Sequence, residues 1–440
     1  MNPPSPSPES ASTRREFLKT STTAAVAGAV VSQVSFPFVS SGQGSSAKLK
    51  IGLVGCGGRG TGAAAQALKA DSNLELTAMA DVFPEAIEKS FAAVSKEVDD
   101  PNKFNLKDEN KFVGLDAYKK LINSGVDVVL LASPPGFRPY HLRAAVDAGK
   151  HIFTEKPMAT DAPGVRSVME SVQIAKDKKL AMVAGFCWRY DYARRALFEK
   201  IHAGAIGDIR SIYGTYLTGP VKPMPPADTR PDGITDLEWM VRNWYNFTWL
   251  GGDGLVEQAI HTVDWVAWAK KDVMPAKCTA VGGRQIPANP GTTIYDHIEV
   301  NYEWEDGTRA FLAQRQIPGC HSENHLYVHG SKGAAYIQRG KVYITGDNPW
   351  KYEGPNPNMY QVEHDELFAS IRSGNPINNG DRMVQSTLMG IMGRMAGYTG
   401  QEITWDMALN SKQVLVPEIK DWNTVVEVQP MAMPGKTKFI

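Results

Sequence analysis

Short apolar runs alternate with amphipathic segments from residue 48 onward. The runs are bounded by glycine or polar residues, as is typical of strands buried on both faces, and the segments between them repeat apolar residues at helical spacing. Strands are predicted at residues 49–54, 74–80, 126–132, 151–153 and 180–186. Helices are predicted after Gly60, after Pro84, and over residues 141–148 and 162–176. This order predicts an α/β domain, a Rossmann-type doubly wound parallel sheet, with a loop insertion over residues 99–110.

The pattern changes in the second half, where apolar runs follow one another with few helices between them. Strands are predicted there at residues 209–218, 278–284, 298–304, 310–316 and 325–329, and helices at 362–373 and 382–398. This order indicates an α+β domain with a large, mostly antiparallel open sheet. We therefore divide the chain into a leading segment (1–47), a first domain (48–175) and a second domain (176–440). An open sheet of this size favours a homodimer or homotetramer.

The composition excludes several classes of partner. The 47 basic residues balance the 47 acidic residues, so nothing favours nucleic acid or an anionic membrane surface as a partner. The four cysteines lie far apart and form no C-x-x-C pair, which argues against a disulfide framework or a zinc cluster. The sequence does not exclude a single disulfide bridge formed after export.

The leading segment has the pattern of an export signal. Arg14 and Arg15 stand in Ser-Thr-Arg-Arg-Glu-Phe-Leu-Lys, and an apolar run over residues 24–34 follows that is too short for a stable membrane span. We interpret this as a twin-arginine signal, which predicts a periplasmic protein without a stable membrane anchor. The alternative is a chance Arg-Arg pair beside an apolar run. No clean A-x-A cleavage site is visible.

A glycine-rich turn follows the first predicted strand and opens the first predicted helix. Its G-x-G-x-x-G pattern places Gly55 at the tight turn, Gly57 where a backbone approaches a pyrophosphate, and Gly60 where helix and strand pack closely. Gly58 and Arg59 complete the turn; Arg59 either pairs with a phosphate or faces solvent. The turn predicts a dinucleotide site at a helix N-terminus.

An acidic residue answers this turn at the end of the second predicted strand. Asp81 is placed to bind the ribose hydroxyls and to repel a 2′-phosphate, which favours NAD over NADP. The alternative is that Asp81 caps the following helix.

Four further segments resemble the Gfo/Idh/MocA oxidoreductase family. They are Ala132-Ser133-Pro134-Pro135, His141, Ala148-Gly149-Lys150-His151 and Thr154-Glu155-Lys156-Pro157. The similarity extends over essentially the whole chain after residue 48. It implies that Ser133, Pro134, His141, Glu155 and Lys156 border the cofactor. The chain departs from the family's pattern in a longer loop between Pro134 and His141, in Cys187 and in Glu257, where most members have Asp.

The resemblance also implies the catalytic residues. Lys156 would polarise the reacting hydroxyl, and His261 would transfer its proton. Glu257 precedes His261 by four residues in a predicted helix, so the two would share one face and form a hydrogen bond. The alternatives are a solvated Lys156 and an ordinary surface pair of Glu257 and His261. A metal held by Glu257, His261 and Asp264 is disfavoured, because this chemistry needs none.

Other residues suggest substrate contacts. Arg189, Trp244 and Tyr245 combine flat apolar faces with polar groups that suit carbohydrate rings, although aromatic residues are more often part of the core. His321, His325 and His329 recur every fourth residue, but on a strand successive members would lie about 13 Å apart, too far for shared metal ligation. We therefore predict no metal site.

The sequence thus predicts an exported NAD-dependent oxidoreductase acting on a ring carbinol of a sugar or cyclitol. Because the exported compartment has no nicotinamide pool, the cofactor would be loaded before export, held tightly and regenerated in place. The main alternative is a redox-neutral glycoside hydrolase that works through a transient keto-sugar. A third class is a cofactor-containing binding protein without turnover.

Overall fold

The computed structural model describes residues 47–287, 289 and 291–440. The twin-arginine motif and the apolar run after it lie outside the described residues. Among the helices of the described part, none combines the length and hydropathy that a membrane crossing requires.

The first domain is built on a parallel sheet, as predicted. Six of the described strands form it, in the order β3-β2-β1-β4-β5-β6. They are β1 (Leu49–Val54), β2 (Leu74–Asp81), β3 (Lys111–Val113), β4 (Val128–Leu131), β5 (His151–Thr154) and β6 (Met182–Ala184). The helices between them are α1 (Gly58–Ala70), α2 (Pro84–Val98), α3 (Ala117–Ile122), α4 (Arg138–Asp147) and α5 (Ala162–Asp177). The strand order reverses between β1 and β4, which opens a crevice at the carboxyl edge of the sheet.

Two features of this domain differ from the sequence prediction. The insertion is followed by the short strand β3 and by α3, which were not predicted because neither is long enough to show a periodicity. The boundary at residue 175 is also too early, because β6 pairs with β5 inside the same sheet.

The second domain contains a mixed sheet that is mostly antiparallel, with β7 and β10 as a parallel pair. The described strands of this sheet follow the order β14-β13-β12-β11-β7-β10-β9-β8-β15. They are β7 (Ile209–Thr218), β8 (Lys277–Gly283), β9 (His297–Glu303), β10 (Arg309–Gln316), β11 (Leu326–Gly330), β12 (Gly333–Gln338), β13 (Lys341–Gly346), β14 (Trp350–Lys351) and β15 (Ile403–Thr404). Buried and more exposed residues alternate along β9 and β10, so one face of the sheet packs on helices and the other is open.

Helices cover the buried face of this sheet and return to the first domain. They are α6 (Tyr192–His202), α7 (Asp236–Arg242), α8 (Thr248–Gly251), α9 (Gly254–Glu257), α10 (Ile260–Ala269), α11 (Met359–Arg372), α12 (Gly380–Thr399) and α13 (Trp405–Asn410). Helix α11 buries Val362, Leu367 and Phe368 in the same apolar cluster as Ile51 and Leu53 of β1. The core of the first domain is therefore completed by a distant part of the chain.

Candidate active site

The glycine turn between β1 and α1 leaves an open cradle at the helix N-terminus. Gly55 has φ +92°, and a Cβ there would lie 2.6 Å from the backbone nitrogen of Ser133. A Cβ on Gly60 would collide with the carbonyl oxygen of Gly55. By contrast, a Cβ on Gly57 or Gly58 would meet nothing within 4 Å. Helix α1 begins without a side-chain cap, so its first N–H groups are available to an anion, and the cradle fits a dinucleotide phosphate.

Asp81, at the end of β2, braces this turn. Its Oδ2 accepts a hydrogen bond from the backbone N–H of Cys56 at 2.6 Å, and its Oδ1 accepts one from Phe83 at 3.0 Å. Burial raises the pKa of Asp81. The N-cap position of α2 is occupied by Phe83 and not by Asp81. Asp81 therefore joins the glycine turn to the end of β2. Its contact with a ribose stays a prediction.

The loop after β4 lies directly against the glycine turn. The Oγ of Ser133 is 2.9 Å from Nδ1 of His141, and the His141 ring stacks on Tyr118 at 4.1 Å. Burial and the charge of Arg138 lower the pKa of His141 to about 3, so this ring is neutral. Pro134 precedes the short turn that leads into α4.

Arg138 is a structural residue of the site that the sequence did not identify. It is 1% exposed and donates to the carbonyl oxygen of Ser133 and, at 2.5 Å, to that of Pro157. It thereby ties the loop after β4 to the segment after β5, where Lys156 lies. Its position as a charged residue at the start of a helix was the one feature of the sequence that could have indicated this role.

Lys156 and Glu257 form a direct ion pair between the two domains. The Nζ of Lys156 donates to Oε1 of Glu257 at 2.9 Å and also to the Glu257 carbonyl oxygen. Both side chains are about nine-tenths buried. The other carboxylate oxygen, Oε2, accepts from Nε2 of Gln258 at 2.5 Å. Lys156 is therefore not a solvated strand-end cation.

The predicted hydrogen bond between Glu257 and His261 is not formed, and that prediction is wrong. The N–H of Ala259 bonds to the carbonyl oxygen of Gly254, five residues back, and the helix breaks between α9 and α10. The break removes the single helical face on which the pair was expected. The carboxylate of Glu257 instead turns to Lys156.

His261 still lies at the site. Its ring packs on Trp188, with centroids 4.8 Å apart, and its Nδ1 is buried without a hydrogen-bond partner in the described residues. Burial, followed by the positive charges of Lys156, Arg194 and Arg59, lowers the pKa of His261 well below its usual range. The ring is therefore uncharged at neutral pH.

The structure argues against the predicted substrate contact of Arg189. Its guanidinium is 3% exposed and pairs with Asp264 at 2.7 and 2.8 Å and with Asp272 at 2.6 Å. It also lies 4.7 Å from the centre of the Trp268 ring. Its donors are used inside the protein, and Asp264 is likewise unavailable to a metal.

The predicted aromatic contacts divide into buried and accessible residues. Tyr245 is 4% exposed, and its hydroxyl bonds with the amide of Gln316, 2.9 Å from Oε1. Burial, followed by the charge of Glu257, raises the pKa of Tyr245. Trp244 is partly exposed beside it, with the ring centroids 5.7 Å apart. Tyr216, which the sequence did not single out, donates to Oε1 of Gln258 at 2.7 Å, on the same side as the Lys156–Glu257 pair. Contact of these rings with a sugar stays a prediction.

No group of residues with metal-ligating geometry is present in the described part of the chain. His321 and His325 both lie 3.2 Å from Oε2 of Glu323, and Nε2 of His325 accepts from the backbone N–H of Arg339. Even so, the three spaced histidines form no metal-ligating group among the described residues. The described cysteines are free, and Cys56, Cys187 and Cys278 are buried.

Arg59 is partly exposed, but other protein side chains hold its guanidinium. Its Nε donates to Oε1 of Glu155 at 2.5 Å, and its guanidinium lies over the ring of Tyr360 in α11. Glu155 is 6% exposed, and a Cβ on Gly185 would collide with its carboxylate. Arg59 thus links the glycine turn to the strand end beside Lys156, and a phosphate contact stays a prediction.

Comparisons with known proteins agree with this arrangement. Residues 49–186 match the family model described as the oxidoreductase family with an NAD-binding Rossmann fold, and residues 195–336 match the GFO/IDH/MocA C-terminal domain. Together the matched segments cover more than half of the chain.

Two curated relatives are dehydrogenases. Inositol 2-dehydrogenase/D-chiro-inositol 3-dehydrogenase of Lacticaseibacillus casei is 30% identical over 45% of this chain and 54% of that enzyme, so the match spans about half of that relative. Inositol 2-dehydrogenase of Rhizobium meliloti (strain 1021) is 25% identical over 73% of this chain and 86% of that enzyme.

Among solved structures, a levoglucosan dehydrogenase in complex with NADH and levoglucosan is similar in fold. Its TM-score is 0.64 at 19% identity, covering 81% of this chain and 99% of that one. An aldose–aldose oxidoreductase from Caulobacter crescentus has a TM-score of 0.63 at 18% identity, over 81% of this chain and 99% of that one. At these identities the likeness establishes the fold.

Proposed function

The chain belongs to the Gfo/Idh/MocA family of NAD-binding oxidoreductases, and from this premise we propose that it transfers hydride between a ring carbinol of a sugar or cyclitol and NAD. The carbinol is oxidised to a ketone in one direction, and the ketone is reduced to the carbinol in the other. The observation that carries the proposal is the Lys156–Glu257 ion pair at the carboxyl edge of the parallel sheet, with the neutral ring of His261 nearby. Doubly wound folds bind their ligands at this edge.

The residues of the cradle would hold the cofactor. Gly57 and Gly58 leave room for its phosphates at the N-terminus of α1, and Asp81, at the end of β2, would bind the adenosine ribose. When bound, NAD supplies the acceptor for the hydride that leaves the carbinol carbon.

Each residue of the pair and the nearby histidine has a separate task. Lys156 donates a hydrogen bond to the carbinol oxygen and stabilises the negative charge that develops there. His261, whose ring is uncharged at neutral pH, accepts the hydroxyl proton. Glu257 holds the ammonium of Lys156 in place and accepts hydrogen bonds from a substrate hydroxyl.

The substrate class rests on the relatives and on the aromatic lining. The curated relatives include inositol dehydrogenases, and a structure of similar fold contains levoglucosan. Trp244, whose ring lies beside that of Tyr245, offers a partly exposed flat face, and such faces suit the apolar side of a sugar ring. We therefore expect a polyhydroxylated ring substrate and NAD as the cofactor.

Nicotinamide absorbance provides the test of the reaction. The purified protein is mixed with NAD⁺ and, one at a time, with free sugars, cyclitols and glycosides, while the products of each mixture are analysed. A lasting rise in NADH absorbance that a keto-sugar reverses supports the proposal. Release of an aglycone without a lasting change would identify a redox-neutral glycosidase instead. Ligand binding without either change would identify a binding protein.

We further propose that the protein is exported in folded form with its cofactor held tightly. Support comes from Arg14-Arg15 and the apolar run that follows. In a bacterium with a twin-arginine pathway, the natural sequence should reach the periplasm, whereas the R14K/R15K variant should stay in the cytoplasm. The purified protein should carry close to one nicotinamide dinucleotide per chain after gel filtration. Equal localisation of both forms would contradict twin-arginine export. Protein purified without cofactor would contradict tight binding of the dinucleotide.

The open sheet face supports the proposal of a homo-oligomer. Tyr213, Tyr327, Tyr336 and Tyr343 form a row across four neighbouring strands, and Phe311 beside them is 37% exposed. Aromatic residues on an open face are typical of interfaces. Light scattering should find a dimer or tetramer, which F311R should dissociate. A monomer in both forms would exclude this assembly.

A further inference from the structure

A cluster of charged and polar groups beside α1 takes no direct part in the proposed transfer of hydride and proton. At its centre Arg59 donates to Glu155, and the same guanidinium lies 3.7 Å from Oε1 of Glu363. Its carbon Cζ lies 4.6 Å from the centre of the Tyr360 ring. Arg59 and Glu155 belong to the first domain, whereas Tyr360 and Glu363 belong to α11. Two carboxyl groups from distant parts of the chain therefore share one guanidinium.

Glu363 is in an environment that does not suit a charged carboxylate. Its side chain is 0% exposed, and neither carboxyl oxygen has a hydrogen-bond partner in the described residues. An ionised carboxylate that is buried without donors is very costly, so such a group takes up a proton. Glu155 occupies the guanidinium at hydrogen-bond distance, which leaves Glu363 the weaker contact. Burial, followed by the negative charge of Glu155, raises the pKa of Glu363 well above its usual range.

Three neighbours of Glu363 are uncharged at neutral pH. Burial raises the pKa of the Cys187 thiol and raises that of Tyr190 to about 12, and it lowers the pKa of His364 to about 3. At neutral pH these three groups are uncharged. The titratable and charged groups that face this cluster are Arg59 from α1, Glu155 from the end of β5, Cys187 and Tyr190 from the short helix after β6, Arg194 from α6, and Tyr360 and His364 from α11.

We propose that Glu363 is a positioning residue of the active site, a neutral carboxylic acid that keeps the Arg59–Glu155 pair in place. Arg59 stands in the glycine turn and Glu155 directly precedes Lys156, so the pair connects the cofactor cradle to the reacting centre. A second negative charge at Glu363 would compete with Glu155 for the guanidinium. The effect on turnover rests on the proposed function, whereas protonation and NADH binding do not need a substrate.

Infrared spectroscopy of the whole protein tests the protonation state. At pH 7 the natural protein should show the C=O stretch of a buried protonated carboxylic acid, and this band should be missing from E363Q. The matched control is E366Q, which lies on the same helix and whose carboxylate is bound by Arg195; the band should persist there. If E363Q shows the same protonated-carboxyl bands as the natural protein, the proposal is overturned.

Binding of NADH tests the positioning role. Because Gln has the shape of the neutral acid, E363Q should bind NADH within about threefold of the natural protein, whereas E363A should bind at least about tenfold more weakly. Equal binding by E363A, or equally weak binding by both variants, would contradict the role. If E363A does not fold, as thermal melting will show, the infrared result and E363Q binding still decide. Failure of every substrate, with these results intact, would count against the proposed reaction alone.

Discussion

The ammonium group of Lys156 lies 2.9 Å from the carboxylate of Glu257, although the two residues come from different domains. Lys156 follows the last residue of β5 by two positions, and Glu257 ends the short helix α9. Because both side chains are nearly buried, each group satisfies the other in the absence of substrate. In the proposed reaction, a substrate hydroxyl would meet an oriented donor and an oriented acceptor at this pair.

Removal of the Glu257 charge should therefore impair the reaction more than the fold. We expect E257Q to lower kcat by about 100-fold, in the range of general acid–base effects, with E257D partly active. Steady-state kinetics on the substrate found by the absorbance screen provides the measurement. The control is E97Q, whose carboxylate forms an exposed surface pair with Lys69. An E257Q enzyme with unchanged kcat would show that the carboxylate has no part in turnover.

Two glycines of the same turn should respond differently to alanine. G57A places a methyl group in the open cradle, so it should keep the melting temperature and weaken NADH binding by at least about tenfold. G60A drives a methyl group into the Gly55 carbonyl oxygen, so it should destabilise the first domain. Calorimetry and an NADH titration on both variants separate these effects. Unchanged NADH affinity in a folded G57A variant would rule out the cradle as the phosphate site.

Acid should destabilise the protein through its buried neutral histidines. The pKa of His141 and of His364 is about 3 in the folded chain, because burial disfavours the charged ring, against about 6.5 in an unfolded chain. Below pH 6.5 the unfolded state binds protons that the folded state does not, so the free energy of unfolding falls as the pH is lowered. Each such ring contributes a slope of up to about 1.4 kcal/mol per pH unit until the folded pKa is reached.

Replacement of one of these rings should reduce that slope. H364F keeps an aromatic ring against Phe153, whose centroid is 4.2 Å from that of His364, and cannot bind a proton. Denaturant unfolding between pH 7 and pH 5, with the exposed His329 replaced by Gln as a control, gives the slopes. The same pH dependence in H364F and in the natural protein would refute the neutral, buried state of His364.

Replacement of Arg189 tests whether this residue stabilises the fold or binds the substrate. R189M leaves Asp264 buried without its cation, which should cost about 3–5 kcal/mol of stability. The double variant R189M/D264L removes both charges and should recover part of that loss. Thermal or denaturant unfolding measures both. A stable R189M variant with only a raised KM would instead restore Arg189 as a substrate residue.

The sequence predicted the elements that have a strong local pattern. The buried parallel strands, the long helices of the second domain and the glycine turn have periodicities or motifs that depend on a few neighbouring residues. Lys156 was located because the segment around it resembles a known family. The short strand β3 and the strands β12 to β15 were not predicted, because most of them are too short or too irregular for such a pattern.

The errors concern contacts that depend on distant parts of the chain. Glu257 and His261 are four residues apart, which in a continuous helix would place them on one face. The helix breaks between them, and the carboxylate of Glu257 pairs with Lys156 instead. Arg189 is of a residue type that often binds ligands, yet its guanidinium forms ion pairs with Asp264 and Asp272. Glu363 carried no signal, because its partner Arg59 lies about 300 residues earlier.

The most direct test of the account is the reaction of K156M with NAD⁺ and the identified substrate. We compare it with K89M, which changes an exposed lysine on α2, and we measure both NADH formation and NADH affinity. The account predicts that K156M loses at least about 100-fold in kcat while NADH affinity stays within a few fold, and that K89M behaves as the natural protein. Normal NADH formation by K156M would contradict the assignment of Lys156 and the reaction centre built around it.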